Sequence, residues 1–228
     1  MSSAIDLSPL WISLETAAAT IAIVFVLGVV AAWWVERLSS EKAKILIDGI
    51  FTLPMVLPPT VAGFFLLVIF GNNRLVGRFF MDSFGVQIAF SWLATVLAAA
   101  VISFPLMYRS ARGALMQVDQ GIMEAGRSLG MTEWRIFWRL HLPNAFPGII
   151  AGGLLAFARG LGEFGATAML AGNIAGKTRT LPLAVYSAVA AGDFDSAGVY
   201  VLIIVTICLA VVIGLNYYQH YMKKRMEE

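Results

Sequence analysis

Apolar residues fall into five long runs along this chain, at about 14–35, 45–70, 88–108, 148–171 and 197–217, separated by short polar connections. Each run reaches the ~20 residues a helix needs to cross a hydrocarbon core. The pattern predicts an all-α bundle of five transmembrane helices, with residues 1–228 forming one membrane domain. A shorter apolar segment, Leu181 to Ala191, is bounded by Pro182 and by Gly192-Asp193. Eleven residues suit a re-entrant or interfacial helix, within an outer segment of about 178–192, better than a sixth crossing.

Polar positions set the orientation. Of the 16 Lys and Arg, eleven lie at 36–44, at 109–147 and in the tail at Lys223, Lys224 and Arg225. The opposite side receives four, Arg74, Arg78, Lys177 and Arg179, and Arg159 remains inside the fourth run. Basic residues accumulate on the cytoplasmic side, which predicts an outside N-terminus and a cytoplasmic C-terminus. Met1 to Trp11 carries no Lys or Arg, and the run after it is too long for a signal-peptide core, so it reads as a retained span. Small residues recur every fourth position at Gly148, Gly152, Ala156 and Gly160, and at Ser91, Thr95, Ala99 and Ser103. Such ridges let helix backbones approach closely in a membrane.

Composition agrees with this reading: 59% hydrophobic and 13% charged residues, with a mean hydropathy of +0.81, leave too little polar surface for a water-soluble globule. A net charge of +2 gives no footprint for nucleic acid. Cys208 lies alone in an apolar run, and His141 and His220 are isolated, so no disulfide or metal site is expected. No nucleophile has a nearby base and no carboxylates are paired for acid–base work, so no catalytic site and no cofactor site is expected in this chain. Ala171 to Thr178 is a near miss to a phosphate-binding loop, rejected because Ala171 replaces the first glycine and no strand precedes it.

The basic connection at about 109–147 holds the most distinctive spacing: Glu124-Ala125-Gly126, then Gly130, then Leu140-His141-Leu142-Pro143. Asp119 is placed to cap a helix ending near Leu129, Gly130 to make a left-handed turn, and Thr132 to cap a second helix that stops before Pro143. The result is a helix-turn-helix hairpin on the cytoplasmic side. Ala125 and Gly126 would leave a bare face for a groove on a partner protein, with Trp134 and Phe137 as anchors. The competing reading lays the segment on lipid headgroups.

Two further groups stand out inside the apolar runs. Arg159 and Glu163 are four residues apart, one helical turn on one face, and intramembrane charges are costly enough to require a cavity or a partner. They serve either the permeation route or a subunit interface. Pro54, Pro58 and Pro59 interrupt the second run, and freed backbone groups survive in a membrane only when buried in protein or lining a cavity. Asp48, early in that run, reads as solvated or paired with a loop arginine.

The Glu-Ala-Gly, Gly130, Leu140-x-Leu142-Pro143 spacing resembles the cytoplasmic coupling motif of permease subunits of bacterial ABC importers, with Gly126 where that family usually has alanine. Three other stretches, Leu53 to Gly63, Ala158 to Thr167 and Thr178 to Tyr186, are similar to the molybdate permease family. The resemblance covers most of the chain. It implies a small type I ABC importer permease fold in a bacterial inner membrane, working as a homodimer in contact with lipid. It also implies two copies of an ATP-binding subunit carrying ATP and Mg, and a periplasmic molybdate-binding protein. On this likeness Glu124, Ala125, Gly126, Gly130, Leu140, Leu142 and Pro143 are the ATPase-coupling residues. Arg159, Glu163, Gly162, Gly165, Thr167, Pro54, Pro58, Pro59, Thr60, Thr178 and Thr180 are the pathway or gate candidates. Molybdate, with tungstate close to it, is the expected substrate, and a sulfate or thiosulfate permease is the alternative within the class. An ion-coupled secondary transporter would need more spans and inverted repeats, and a bare membrane anchor would leave Arg159 and Glu163 without a purpose.

Overall fold

Helices and their connectors account for residues 5–227, which the computed structural model of the chain describes, and no strand occurs among them. The side chains of His220, Lys223, Lys224 and Arg225 lie outside the described residues. Four helices are long and apolar enough to cross a membrane, or five if one bent pair counts as a single crossing.

α1 (Ser8–Glu36) and α5 (Trp92–Met116) form the centre with α8 (Leu142–Leu161). The small-residue ridge of α8 explains their closeness. A Cβ on Gly148 would sit 2.7 Å from the Ala114 Cβ, and one on Gly152 would overlap the Ser110 side chain. Both contacts lie within one chain, on α5, as ordinary helix packing requires. Around them Val24, Met107, Tyr108, Ala111, Ile149 and Ala156 build one continuous core.

The expected run boundaries change at three places. α5 continues eight residues past 108, so Arg109 and Arg112 ride on its last turns and do not belong to the connection. The second run divides into α2 (Glu41–Val56) and α3 (Pro59–Phe70), bent by 110°. Pro54 stays inside α2, and the break falls at Leu57 and Pro58. Each of these residues precedes a proline, which drives it out of the helical region; their ψ angles are 142° and 134°. The fourth run also divides. α8 ends at Leu161, and after Gly162, Glu163 and Phe164 the short α9 (Gly165–Leu170) begins. The expected unbroken helix over 148–171 is therefore two pieces.

α3 and α9 pack together in a second core made of Ala62, Leu66, Ala89, Ala98, Ala166 and Leu170. Between α3 and α5 lies α4 (Leu75–Phe84), where Phe79, Phe80 and Phe84 cluster with ring centroids 5.8–6.1 Å apart. This helix lies outside the five apolar runs. The short apolar segment is α10 (Leu181–Ala190), which packs against α11 (Phe194–Glu227) through Leu181, Ala184 and Tyr200. Its first N–H donates to the Ser13 hydroxyl of α1 at 2.7 Å, so α10 is tied to the start of α1.

Candidate functional site

Local chemistry shapes the hairpin much as its spacing suggests. α6 (Gln120–Ser128) begins at Asp119, whose carboxylate accepts from the Gly121 N–H at 2.8 Å. Gly130 then takes φ +74°, a conformation that favours glycine, and the Met131 N–H reaches back to the Gly126 carbonyl at 3.1 Å. Thr132 starts α7 (Glu133–Ile136) by accepting from the Arg135 N–H at 3.4 Å. Arg127 clamps Glu133 across the turn with its Nε at 2.7 Å and a second nitrogen at 3.4 Å.

The second helix does not stop before Pro143. It runs through a π-helical turn, Phe137–His141, directly into α8, and the Leu142 N–H bonds the Phe137 carbonyl. Proline lacks an N–H and collides with the carbonyl four residues earlier in a regular helix. The wider turn places Pro143 in the first turn of α8, where no N–H is needed. The second arm of the hairpin and the third long helix are consequently one continuous rod.

Gly126 does not present a bare face outward. It is buried, and a Cβ there would lie 2.8 Å from Leu140 Cδ1 and 3.2 Å from Ile136 Cγ1. Phe137 is buried too, with its ring 5.1 Å from Trp33 of α1, so it anchors the hairpin to its own bundle and is unavailable to a partner. Glu124, Ala125, Gly130 and Pro143 are exposed, Leu140 and Leu142 are half-buried, and Trp134, Trp138 and the 82% exposed Leu129 add an uncovered apolar surface. His141 bonds the Leu115 carbonyl at 2.9 Å, and no cluster of three metal-ligating residues occurs among the described residues.

Deeper in the bundle the two helix breaks meet. A Cβ on Gly165 would lie 3.0 Å from Pro59 and 3.1 Å from the Thr60 nitrogen, so the beginnings of α3 and α9 touch. Glu163 is not on the helix of Arg159, as its four-residue spacing suggests, but beyond the end of α8. From there one carboxylate oxygen accepts from the Ala166 N–H at 2.8 Å and the other pairs with Arg159 at 2.9 Å. Glu163 is 1% exposed, whereas Arg159 is 37% exposed. The free side of Arg159 enters a cavity of about 290 Å³ lined also by Pro54, Leu57, Pro59, Ile102 and Leu106.

The fold thus gathers Arg159, Glu163, Pro54, Pro59, Thr60 and Gly165 from two distant stretches, with the exposed Pro58 and Gly162 at the breaks themselves. It leaves the other candidates elsewhere. Thr167 is buried inside α9. Thr178 is buried in the connector before α10, where its hydroxyl accepts from the Ile174 N–H at 3.0 Å, and Thr180 is buried at the head of α10. Arg179 bonds the Asn173 side chain at 2.9 Å.

Sequence reasoning missed Tyr108 and underused Arg112. The Arg112 guanidinium reaches Glu36 of α1 at 2.6 Å and Asp48 of α2 at 2.7 Å, and the Tyr108 hydroxyl donates to the same Asp48 oxygen at 2.9 Å. Asp48 does pair with an arginine, as expected, but with one on a helix end. A tyrosine four residues before an arginine, at the end of a run facing a lone Asp, is the signal that was available.

A bundle broken at mid-depth, carrying a helical hairpin at one end, agrees with one family model, that of binding-protein-dependent transport system inner membrane components, which matches residues 10–228. The chain belongs to that family. ModB, the molybdenum transport system permease protein of Escherichia coli K12, is 44% identical over 208 residues, 90% of this chain and 90% of its own. The probable sulfate transport system permease protein cysT of Chlorokybus atmophyticus is 34% identical, over 84% of this chain and 66% of its own length. Among solved structures, the MetNI methionine ABC transporter in an inward-facing conformation has a TM-score of 0.73 at 17% identity, covering 93% of this chain and 94% of that one. That likeness is one of fold: this inner membrane component has the helical architecture of ABC importer permeases.

Proposed function

We propose that this chain is the permease subunit of an ATP-driven importer for molybdate, with tungstate accepted as a near-identical dianion. The observation that carries the reading is the 44% identity, across nine-tenths of both chains, to a permease named for molybdenum transport, against 34% for one named for sulfate. In this reading two copies of the chain pair in a bacterial inner membrane, with the hairpin and C-terminus cytoplasmic and the N-terminus outside. Two ATP-binding subunits, which hold ATP and Mg, grip the hairpin at Glu124, Ala125, Leu129 and the exposed tryptophans. A periplasmic molybdate-binding protein delivers the anion at the opposite end.

Hydrolysis in the ATP-binding subunits moves the hairpin. Because the second arm of the hairpin continues into α8, a movement of that arm is carried along the same helix to Arg159. Arg159 offers charge complementarity to the passing anion, while Glu163, already bonded to it, keeps the attraction weak enough for release. Pro54, Leu57 and Pro59 shape the neighbouring wall.

The test is uptake into proteoliposomes containing the permease with its ATP-binding subunit and binding protein. Radiolabelled molybdate should enter only while ATP is hydrolysed, with competition by tungstate and not by sulfate. Uptake that persists without ATP hydrolysis, or equal competition by sulfate, overturns the reading.

A further inference from the structure

A chain of alternating charges runs from the hairpin to the broken helix. Arg127 of α6 clamps Glu133 of α7 at 2.7 Å, and the other Glu133 oxygen lies 3.9 Å from Arg37 at the end of α1. The Arg37 guanidinium sits 4.2 Å over the Trp33 ring, which itself packs on Phe137 of the rod. Glu36, next in the chain to Arg37, takes the Arg112 Nε at 2.6 Å, and the Arg112 Nη1 holds Asp48 of α2 at 2.7 Å.

What this contact grips is an arm held at the surface of the bundle. α2 has no buried residue. Beyond the ionic contact, α2 packs on the core through the half-buried Ile47 and Phe51, the latter edge-on to Phe104 and Tyr108 with ring centroids 5.4 and 5.3 Å away. α2 ends at the Leu57–Pro58 break and supplies Pro54 and Leu57 to the Arg159 cavity. α3, beyond the break, is held separately, by Ala62 and Leu66 in the core shared with α9. A displaced α2 would therefore alter the cavity wall while α3 stays in place.

We propose that Arg112 and Asp48 are positioning residues for transport, linking the hairpin and the end of α1 to the α2 arm so that movement at the hairpin shifts the wall beside Arg159. The guanidinium is suited to this because it is planar, and its Nε and Nη1 point to two carboxylates in a fixed fork. A shift of Glu36 relative to α5 turns that fork and pulls Asp48 with it. Arg112, Glu36 and Asp48 are each about one quarter exposed, enough screening from water for these bonds to hold direction.

This inference rests on the proposed ATP-driven import, and its test separates the two. The complete transporter, reconstituted with its ATP-binding subunit and binding protein, is assayed for anion transported per ATP hydrolysed. Wild type is run first: if it shows no ATP-dependent uptake, the importer reading fails. If it does, Asp48→Asn should assemble and hydrolyse ATP within about twofold of wild type, while the transport ratio falls about tenfold, as loss of a charged hydrogen bond predicts. Asp48→Glu should recover most of the ratio. A wild-type ratio in Asp48→Asn, or a parallel fall of hydrolysis and transport, overturns the proposal. Should Asp48→Asn fail to assemble, Arg112→Lys keeps the positive charge but loses the planar fork that holds Glu36 and Asp48 together. It should lower the ratio about threefold with normal assembly, and a wild-type ratio there overturns the proposal as well.

Discussion

Gly126 faces Leu140 across the hairpin: a Cβ on the glycine would approach the leucine Cδ1 to 2.8 Å. The atom in the way is the far end of a flexible side chain, with Ile136 next to it at 3.2 Å. Gly126→Ala should therefore fold with a turned Leu140, changing stability by less than about 1 kcal/mol. Gly126→Val has no such outlet and should cost about 1–3 kcal/mol by overpacking. Thermal unfolding of the purified protein distinguishes these outcomes, and equal melting temperatures for Ala and Val would show that the hairpin interior is loose.

Glu163 performs two tasks that substitution separates. Glu163→Gln retains an oxygen for the Ala166 N–H but removes the charge opposite Arg159, whereas Glu163→Ala removes both. Unfolding in detergent should rank wild type above Gln and Gln above Ala, with Ala lower than wild type by about 2–4 kcal/mol because a buried N–H and a charged partner are lost together. Substrate-dependent activity should respond more strongly to Gln than unfolding does, if the carboxylate tunes Arg159.

Gly152 marks the tightest approach of α8 to α5. Any Cβ there overlaps Ser110, and the neighbouring Gly148 faces Ala114 in the same way. Gly152→Val should destabilise by about 1–3 kcal/mol, and Ser110→Gly in the same chain should recover part of the loss. Additive effects of the two changes, read from unfolding midpoints, would contradict direct contact.

The start of α11 should respond to acid. The Ser196 side chain first, and then its N–H donating to Asp193 at 3.1 Å, hold the Asp193 carboxyl below the ordinary value of 3.8. The folded-state value is the lower one, so the stabilisation is present above pH 3.8 and is lost as pH falls through the depressed value. Amide exchange in the first turn of α11, corrected for intrinsic rates, should stay constant from neutral pH to about 5 and quicken below 4. Asp193→Asn keeps an oxygen for the cap and should remove that dependence.

Much of this protein was legible in the residue order because the relevant forces are local or depend only on the solvent. Twenty-residue apolar runs require a bilayer whatever they pack against. Gly130 adopts its positive φ, and Asp119 and Thr132 cap their helices, through atoms a few residues away. Tandem prolines break a helix in any surroundings, although their position alone did not say that Pro54 would remain helical and Leu57 would yield.

Tertiary structure decided what faces what. Periodicity placed Arg159 and Glu163 on one helix, yet α8 ends between them, and the pair forms across the break with Glu163 turned onto α9. Gly126 is closely covered by Leu140 and Ile136 of its own hairpin, and Phe137 belongs to the core. Asp48 and Arg112 are 64 residues apart and meet only because α2 lies along α5. Sequence spacing specifies the neighbours along one helix; contacts between helices depend on how their surfaces close on each other, and only the packed bundle contains that information.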